Sequence, residues 1–155
     1  MSHNILITGG AGFIGSCYVL ARCGAGDTVI NLDKLTYSGN PENFASLSDN
    51  PRHIFVHGDI GNAELVEHLL KTYQPDAVVN FAAESHVDRS IKDPFTFAGT
   101  NVMGTLSLLQ AAKEYWNGNY EGKRFYHIST DEVYGALELT KPDRDPNGNE
   151  CGGVP

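Results

Sequence analysis

The sequence has 155 residues, 11 Lys and Arg against 19 Asp and Glu for a formal net charge of -8, and 41% hydrophobic residues. That length suits one domain with its own core, and that acidity argues against a phosphate polymer as partner, so no nucleic acid is expected. No stretch approaches the roughly 18–20 apolar residues of a membrane helix, and "MSHNILITGG" has no basic region ahead of a long apolar run, so no membrane partner and a soluble, cytoplasmic protein are expected.

In chain order, "NILIT" at 4–8 predicts a strand stopped by glycines, and "FIGSCYVLARC" from Phe13 predicts a helix closed by Gly24 and Gly26. "TVINL" at 28–32 predicts a second strand ending at Asp33. "PENFASL" from Pro41 allows a short helix, because Pro suits a first helical position. "HIFVHGD" at 53–59 predicts a third strand. "NAELVEHLLKTY" from Asn62 predicts a helix capped by Asn62, with Leu65, Val66, Leu69 and Leu70 on one face. "AVVNFAA" at 77–83 predicts a fourth strand. One long helix is expected from about Pro94 to Tyr115, with Val102, Leu106 and Leu109 at helical spacing. "RFYHIS" at 124–129 predicts a fifth strand.

This alternation predicts an α/β fold, a doubly wound parallel sheet of Rossmann type with strand order 3-2-1-4-5. Residues 1–135 form the expected domain. Residues 136–155 are rich in Pro, Gly, Asn and Asp and read as a loop or tail.

The first turn, "TGGAGFIG", satisfies two patterns. Gly10, Gly12 and Gly15 make GxGxxG, while Gly9, Gly12 and Gly15 make GxxGxxG. Either gives a tight turn, a close approach of backbone to a pyrophosphate, and a helix N-terminus facing the phosphates. Glycine-rich loops also occur without ligands, but this one follows a strand and opens a helix. Asp33 lies 18 residues after Gly15. A carboxylate there accepts the adenosine ribose hydroxyls and repels a 2′-phosphate, which points to NAD over NADP. Lys34 is the one residue that pulls the other way. Asp59 and Ile60 follow the third strand, where they flank an adenine. The small Ala82 and Ala83 follow the fourth, where they let a cofactor lie against the backbone.

The fifth strand runs into "STDEVYG", with Thr130, Asp131 and Glu132 at its end. A polar turn is the bland reading. Two adjacent carboxyl groups also diverge in pKa if one is desolvated, and then serve as an acid and a base. His86 reads as a loop-holding residue, Asp88 and Arg89 as a local ion pair, and His57 and His127 as packing or supporting residues. Three cysteines (Cys17, Cys23 and Cys151) with no CxxC pair suggest neither a disulfide framework nor a metal site, and fit small apolar filler or loop thiols in a reducing compartment.

Together "ITGGAGFIGS", "NLDKLTYSGN", "HGDI", "NFAAESHVDRSI", "TNVMGT" and "HISTDEVYG" resemble the N-terminal part of the dTDP-glucose 4,6-dehydratases, lyases of deoxysugar biosynthesis within the extended short-chain dehydrogenase/reductase superfamily. The resemblance covers residues 4–135. It implies NAD as cofactor, a nucleotide sugar (dTDP-glucose) as substrate and a homodimer for the full-length enzyme. It implies cofactor contacts at Phe13, Ile14, Asp33, Lys34, Leu35, Thr36, Asp59, Ile60, Phe81, Ala82, Ala83, Glu84, Ser85 and Thr100. It implies that Glu132 takes the proton from sugar carbon 5, Asp131 protonates the departing 6-hydroxyl, Thr130 binds near the 4-hydroxyl, and Ser85 also touches substrate.

The same family activates the 4-hydroxyl with Tyr of a Y-x-x-x-K helix. No Tyr here has Lys four residues on: Tyr126 is followed by Thr130, and Tyr134 by Glu138. The expectation is therefore an incomplete unit, without a C-terminal substrate domain, inactive and doubtfully dimeric by itself. The alternatives are an NAD-binding module without catalysis, or an epimerase or decarboxylase of the same superfamily.

Overall fold

The computed structural model describes residues 2–130 and 133. Five strands form one parallel sheet: β1 (Asn4–Thr8), β2 (Thr28–Asp33), β3 (His53–His57), β4 (Ala77–Asn80) and β5 (Arg124–His127), in the order β3-β2-β1-β4-β5. The order agrees with the sequence expectation. Helix α1 (Phe13–Gly24) links β1 to β2, a 3₁₀ segment (Pro41–Leu47) lies between β2 and β3, and α2 (Ala63–Tyr73) links β3 to β4. Between β4 and β5 come α3 (Val87–Lys92), α4 (Pro94–Ala98), a π-helical stretch (Gly99–Gly104) and α5 (Thr105–Trp116).

Side chains alternate across each strand, so β1 feeds two cores. Ile5 and Ile7 pack with Val19 and Cys23 of α1, together with Val29 and Val79. Leu6 faces the other way and joins Ile30, Leu32 and Val78 under Val66, Leu69 and Leu70 of α2 and Leu108, Ala112 and Trp116 of α5. Each large apolar side chain fully buried in this way contributes about 1.5–3 kcal/mol, which is why both faces of the sheet hold their helices. Cys23 is filler in the first core, and burial, then the nearby Asp27 charge, raises its thiol pKa. Cys17 is exposed, and Cys151 lies outside the described residues.

The helix ends follow local chemistry. Asn62 Oδ1 accepts the Leu65 N–H at 3.1 Å and starts α2. Gln74 at φ 48° and Asn117 at φ 43° stop α2 and α5 in left-handed conformations.

Strands three, four and five are shorter than the sequence suggests. The β4 ladder ends because the Asn80 side chain accepts the Ala82 N–H at 3.1 Å, turning the chain out of the sheet. After β3, Asp59 Oδ1 likewise accepts the Gly61 N–H at 2.8 Å.

The single helix expected from Pro94 to Tyr115 is a correction. It is broken by the π turn, and α3 precedes it. The wider turn brings the buried Gly104 against Ile60, where a Cβ would sit 2.9 Å from the Ile60 side chain. From there the buried positions are Gly104, Leu108, Ala112 and Trp116, while Val102, Leu106 and Leu109 face outward. The expected Asp88–Arg89 ion pair is also absent among the described residues. Neighbours one apart on a helix do not face each other, and Arg89 lies over the Tyr37 ring instead. No helix among the described residues is long and apolar enough to cross a membrane.

The strand registers align the carboxyl ends. Thr8 pairs with Leu32 and Asn80, Asp33 with His57, and Asn80 with His127. Every strand therefore delivers its next residues to one edge.

Candidate functional site

At that edge lies a cleft of about 450 Å³. Its floor is the glycine turn. Gly9 has φ +70°, and a Cβ there would meet the Ala82 backbone at 2.5 Å, so this position needs glycine for both turn and packing. Gly15 is pressed against the Gly9 carbonyl, and Gly10 against the Asn31 side chain. Gly12 differs: an added Cβ would make only an ordinary contact, 3.4 Å from the Gly9 carbonyl oxygen, and Gly12 forms part of the cleft wall. Three of the four glycines thus build the turn, and Gly12 leaves room for what lies above it.

Gly12 is also the N-cap of α1. No side chain caps that end, and its first turn carries no acidic residue. The open N–H groups and the positive dipole end of a twelve-residue helix suit a diphosphate. Phe13 and Ile14, both strongly exposed, rim the cleft above it.

Asp33 is buried at the end of β2. Its Oδ2 accepts the Ala11 N–H and its Oδ1 the Leu35 N–H, both at 2.8 Å. These bonds fix the carboxylate while each oxygen keeps a further lone pair for a ribose hydroxyl. Lys34 Nζ lies 2.6 Å from Asp59 Oδ2. Burial alone raises the Asp59 pKa, but the Lys34 hydrogen bond, the Gly61 N–H and the Lys34 charge outweigh it and hold the carboxyl below the usual range. His57 donates its Nε2–H to the Lys34 carbonyl at 3.0 Å, so it steadies this loop.

The opposite wall comes from the segment after β4. Phe81, Ala82, Ala83, Glu84 and Ser85 all line the cleft. Asn101 on the π turn clamps Glu84 through two 2.8 Å bonds, accepting its N–H and donating to its carbonyl. The same π turn sets Thr100 on the cleft wall. Behind this wall Asn80, fully buried, ties the sheet together: its Oδ1 accepts the Thr8 hydroxyl at 2.5 Å, and its Nδ2 donates to His127 Nδ1 at 3.1 Å. His127 is therefore a supporting residue beneath the end of β5. Thr130 reaches the same cleft from β5.

Of the cofactor candidates, Leu35 is the one that does not line the cleft. It turns the loop instead, at φ 54°. Leu32, Ser38, Gly58, Ile128 and Ser129 line the cleft without having been singled out from the sequence. Their signal was position alone, each sitting within a few residues of a strand end. Asp131 and Glu132, with residues 134–155, lie outside the described residues.

The family model described as GDP-mannose 4,6 dehydratase matches residues 6–146. The dTDP-glucose 4,6-dehydratase of Xanthomonas campestris pv. campestris (strain B100) is 57% identical over 139 residues, 87% of this chain and 40% of that protein. The solved dTDP-glucose 4,6-dehydratase of Bacillus anthracis str. Ames, in complex with NAD, superposes with a TM-score of 0.75 at 40% identity, covering 99% of this chain and 46% of that one. The Streptomyces venezuelae dTDP-glucose 4,6-dehydratase with NAD and TYD bound gives a TM-score of 0.77 at 47% identity, covering 88% and 42%. The chain spans about 40% of the length of the curated relatives it matches.

Proposed function

Because the chain belongs to the GDP-mannose 4,6 dehydratase family, we propose that residues 1–155 carry the NAD-binding half of a dTDP-glucose 4,6-dehydratase. The observation that carries this reading is one cleft lined by Gly12 at an uncapped helix end, by Asp33, and by Thr130. Those groups suit, in order, a pyrophosphate, an adenosine ribose and a reacting sugar. The dTDP-glucose enzymes at 57% and 50% identity favour that sugar nucleotide over GDP-mannose.

In this reading the α1 N-terminus holds the pyrophosphate, and Asp33 and Asp59 hold the adenosine end. NAD held there would supply a reversible hydride acceptor for sugar carbons 4 and 6. The chain's own residues do the proton work at carbons 5 and 6, while the 4-hydroxyl proton needs a further base, since no Tyr here has Lys four residues on. Thr130 binds at the 4-hydroxyl and Ser85 holds the sugar. Once carbon 4 is a ketone, the proton on carbon 5 is acidic, and Glu132 removes it. Asp131 protonates the 6-hydroxyl, which leaves as water, and Glu132 returns its proton to carbon 5 once carbon 6 is reduced. A base and an acid acting on neighbouring carbons must carry opposite protonation states. The product is a 4-keto-6-deoxy sugar nucleotide. A homodimer and a cytoplasmic setting belong to the same proposal.

The test joins residues 1–155 to the C-terminal part of the Xanthomonas relative and assays conversion of dTDP-glucose against GDP-mannose. Formation of the 4-keto-6-deoxy product from dTDP-glucose is the expected result. Turnover of GDP-mannose alone, or binding of NAD with neither sugar consumed, refutes the substrate assignment.

A further inference from the structure

Two loops face each other across the mouth of the cleft, and their tips touch. The first, residues 34–40, is pinned at both ends. Asp33 Oδ1 accepts the Leu35 N–H at 2.8 Å at its start, and the Asn40 N–H bonds the Ala11 carbonyl of the glycine turn at 3.0 Å at its finish. The Gly39 N–H to Thr36 carbonyl bond of 3.1 Å folds the tip between them and leaves Tyr37 at the apex. The second is the segment from Glu84 into α3. Asn101 pins it at Glu84, and it delivers His86 and Arg89.

At the meeting point, the Arg89 guanidinium carbon lies 3.9 Å from the Tyr37 ring centroid, and the His86 ring lies 5.8 Å from the same ring. Thr36 and Ser38, the neighbours of Tyr37, line one wall of the cleft. Glu84 and Ser85, just before His86, line the other. The Tyr37–Arg89 contact therefore spans the cleft. A dinucleotide stretched from Asp33 and Asp59 toward Thr130 passes between the walls that this contact joins.

We propose that Tyr37 and Arg89 form a latch that retains the dinucleotide, so that NAD is released only when the cation–π contact opens. This rests on the dinucleotide reading of the cleft. Both loop bases are held by hydrogen bonds to their backbone groups, so opening is confined to the two tips. Neither residue bonds the cofactor in this assignment. They set how fast it leaves, and a chemistry that returns the hydride it removes is served by a cofactor that stays between the two steps.

The experiment loads the protein with NADH, chases with excess NAD, and follows the loss of NADH fluorescence. Tyr37→Leu and Arg89→Met are each expected to speed release by about 2- to 5-fold, the range for a cation–π contact at an exposed site. The double variant releases no faster than the faster single, because one contact is lost once. Tyr37→Phe keeps the ring face and releases at the unmutated rate. Unchanged release in both singles, or multiplying effects in the double, overturns the latch. If the unmutated protein takes up no NADH in a prior titration, the dinucleotide reading falls and the latch with it. Uptake with unaltered release removes the latch alone.

Discussion

Lys34 Nζ and Asp59 Oδ2 lie 2.6 Å apart on the wall of the cleft. Lys34, the cation next to Asp33, is thereby already paired with a carboxylate. A 2′-phosphate arriving here meets the Asp33 carboxylate and a Lys34 whose charge is shared. The protein is therefore expected to bind NAD more tightly than NADP. Asp33→Ala should lower NAD affinity by about 10- to 100-fold, the worth of hydrogen bonds to a charged group, and bring the two affinities together. Because Asp33 also holds the Ala11 and Leu35 N–H groups, stability falls too, so the ratio of affinities by calorimetry is the readout. Equal affinities in the unmutated chain count against this account.

The glycines separate into two kinds, and substitution tells them apart. Gly9→Ala forces a side chain into φ +70° and against the Ala82 backbone. It should cost at least the ~1–2 kcal/mol of the left-handed conformation, read as a lowered midpoint of urea unfolding. Gly12→Ala should leave that midpoint nearly unchanged and weaken NAD binding. A Gly12→Ala variant with unaltered NAD affinity removes the diphosphate from this end of α1.

His53 makes stability depend on pH. Burial lowers its pKa, only partly opposed by a backbone hydrogen bond involving Leu47. Its Nε2 lies 3.3 Å from the Asn31 Nδ2, and the Phe44 ring packs edge-on at 5.0 Å. The depressed folded value fixes the sign. Above the ordinary histidine value of about 6.5 neither state is charged and the full stability is present. As pH falls below it, the unfolded chain takes up a proton that the folded chain resists, so stability declines until folded His53 also titrates. Unfolding midpoints at a series of pH values below neutrality should fall more steeply for the unmutated protein than for His53→Gln. Parallel curves contradict the assignment.

The two carboxyl groups after β5 are tested in the joined protein already described. Glu132→Gln should abolish exchange of the carbon 5 proton with solvent deuterium while sparing the first hydride transfer. Asp131→Asn should slow loss of the 6-hydroxyl and leave that exchange in place. General acid–base groups of this kind contribute about 10²–10⁴-fold. Undiminished exchange in Glu132→Gln reassigns the base.

Strand order and the shared edge were legible because each strand is a short apolar run closed by a recognisable breaker: glycine after Thr8, Asp33 after Leu32. The end of β4 was not, because a side chain stops its ladder. The Ala82 amide bonds back to Asn80 while the apolar composition runs on through Phe81, Ala82 and Ala83. The π turn was hidden for a related reason. Its effect is a shift of phase, so the Val102, Leu106 and Leu109 stripe looked like a buried face while Gly104, Leu108, Ala112 and Trp116 take that place. Most of the cleft was visible as motifs at strand ends. The Tyr37–Arg89 contact was not, since it joins residues 52 positions apart through two loops whose tips carry no shared pattern.

Trp116 is the sole tryptophan of the sequence. It is buried at the end of α5, with its indole N–H 3.4 Å from the carbonyl of Pro75, just before β4 begins. That puts the intrinsic fluorophore at the amino edge of the sheet, opposite the cleft. A strand of five residues spans about 17 Å, a separation over which an excited indole passes energy to a reduced nicotinamide. With NADH in the proposed site, light absorbed by Trp116 and re-emitted by the cofactor would gauge the sheet from end to end. The signal is lost both when the cleft empties and when the core around Trp116 melts, and direct indole emission distinguishes the two.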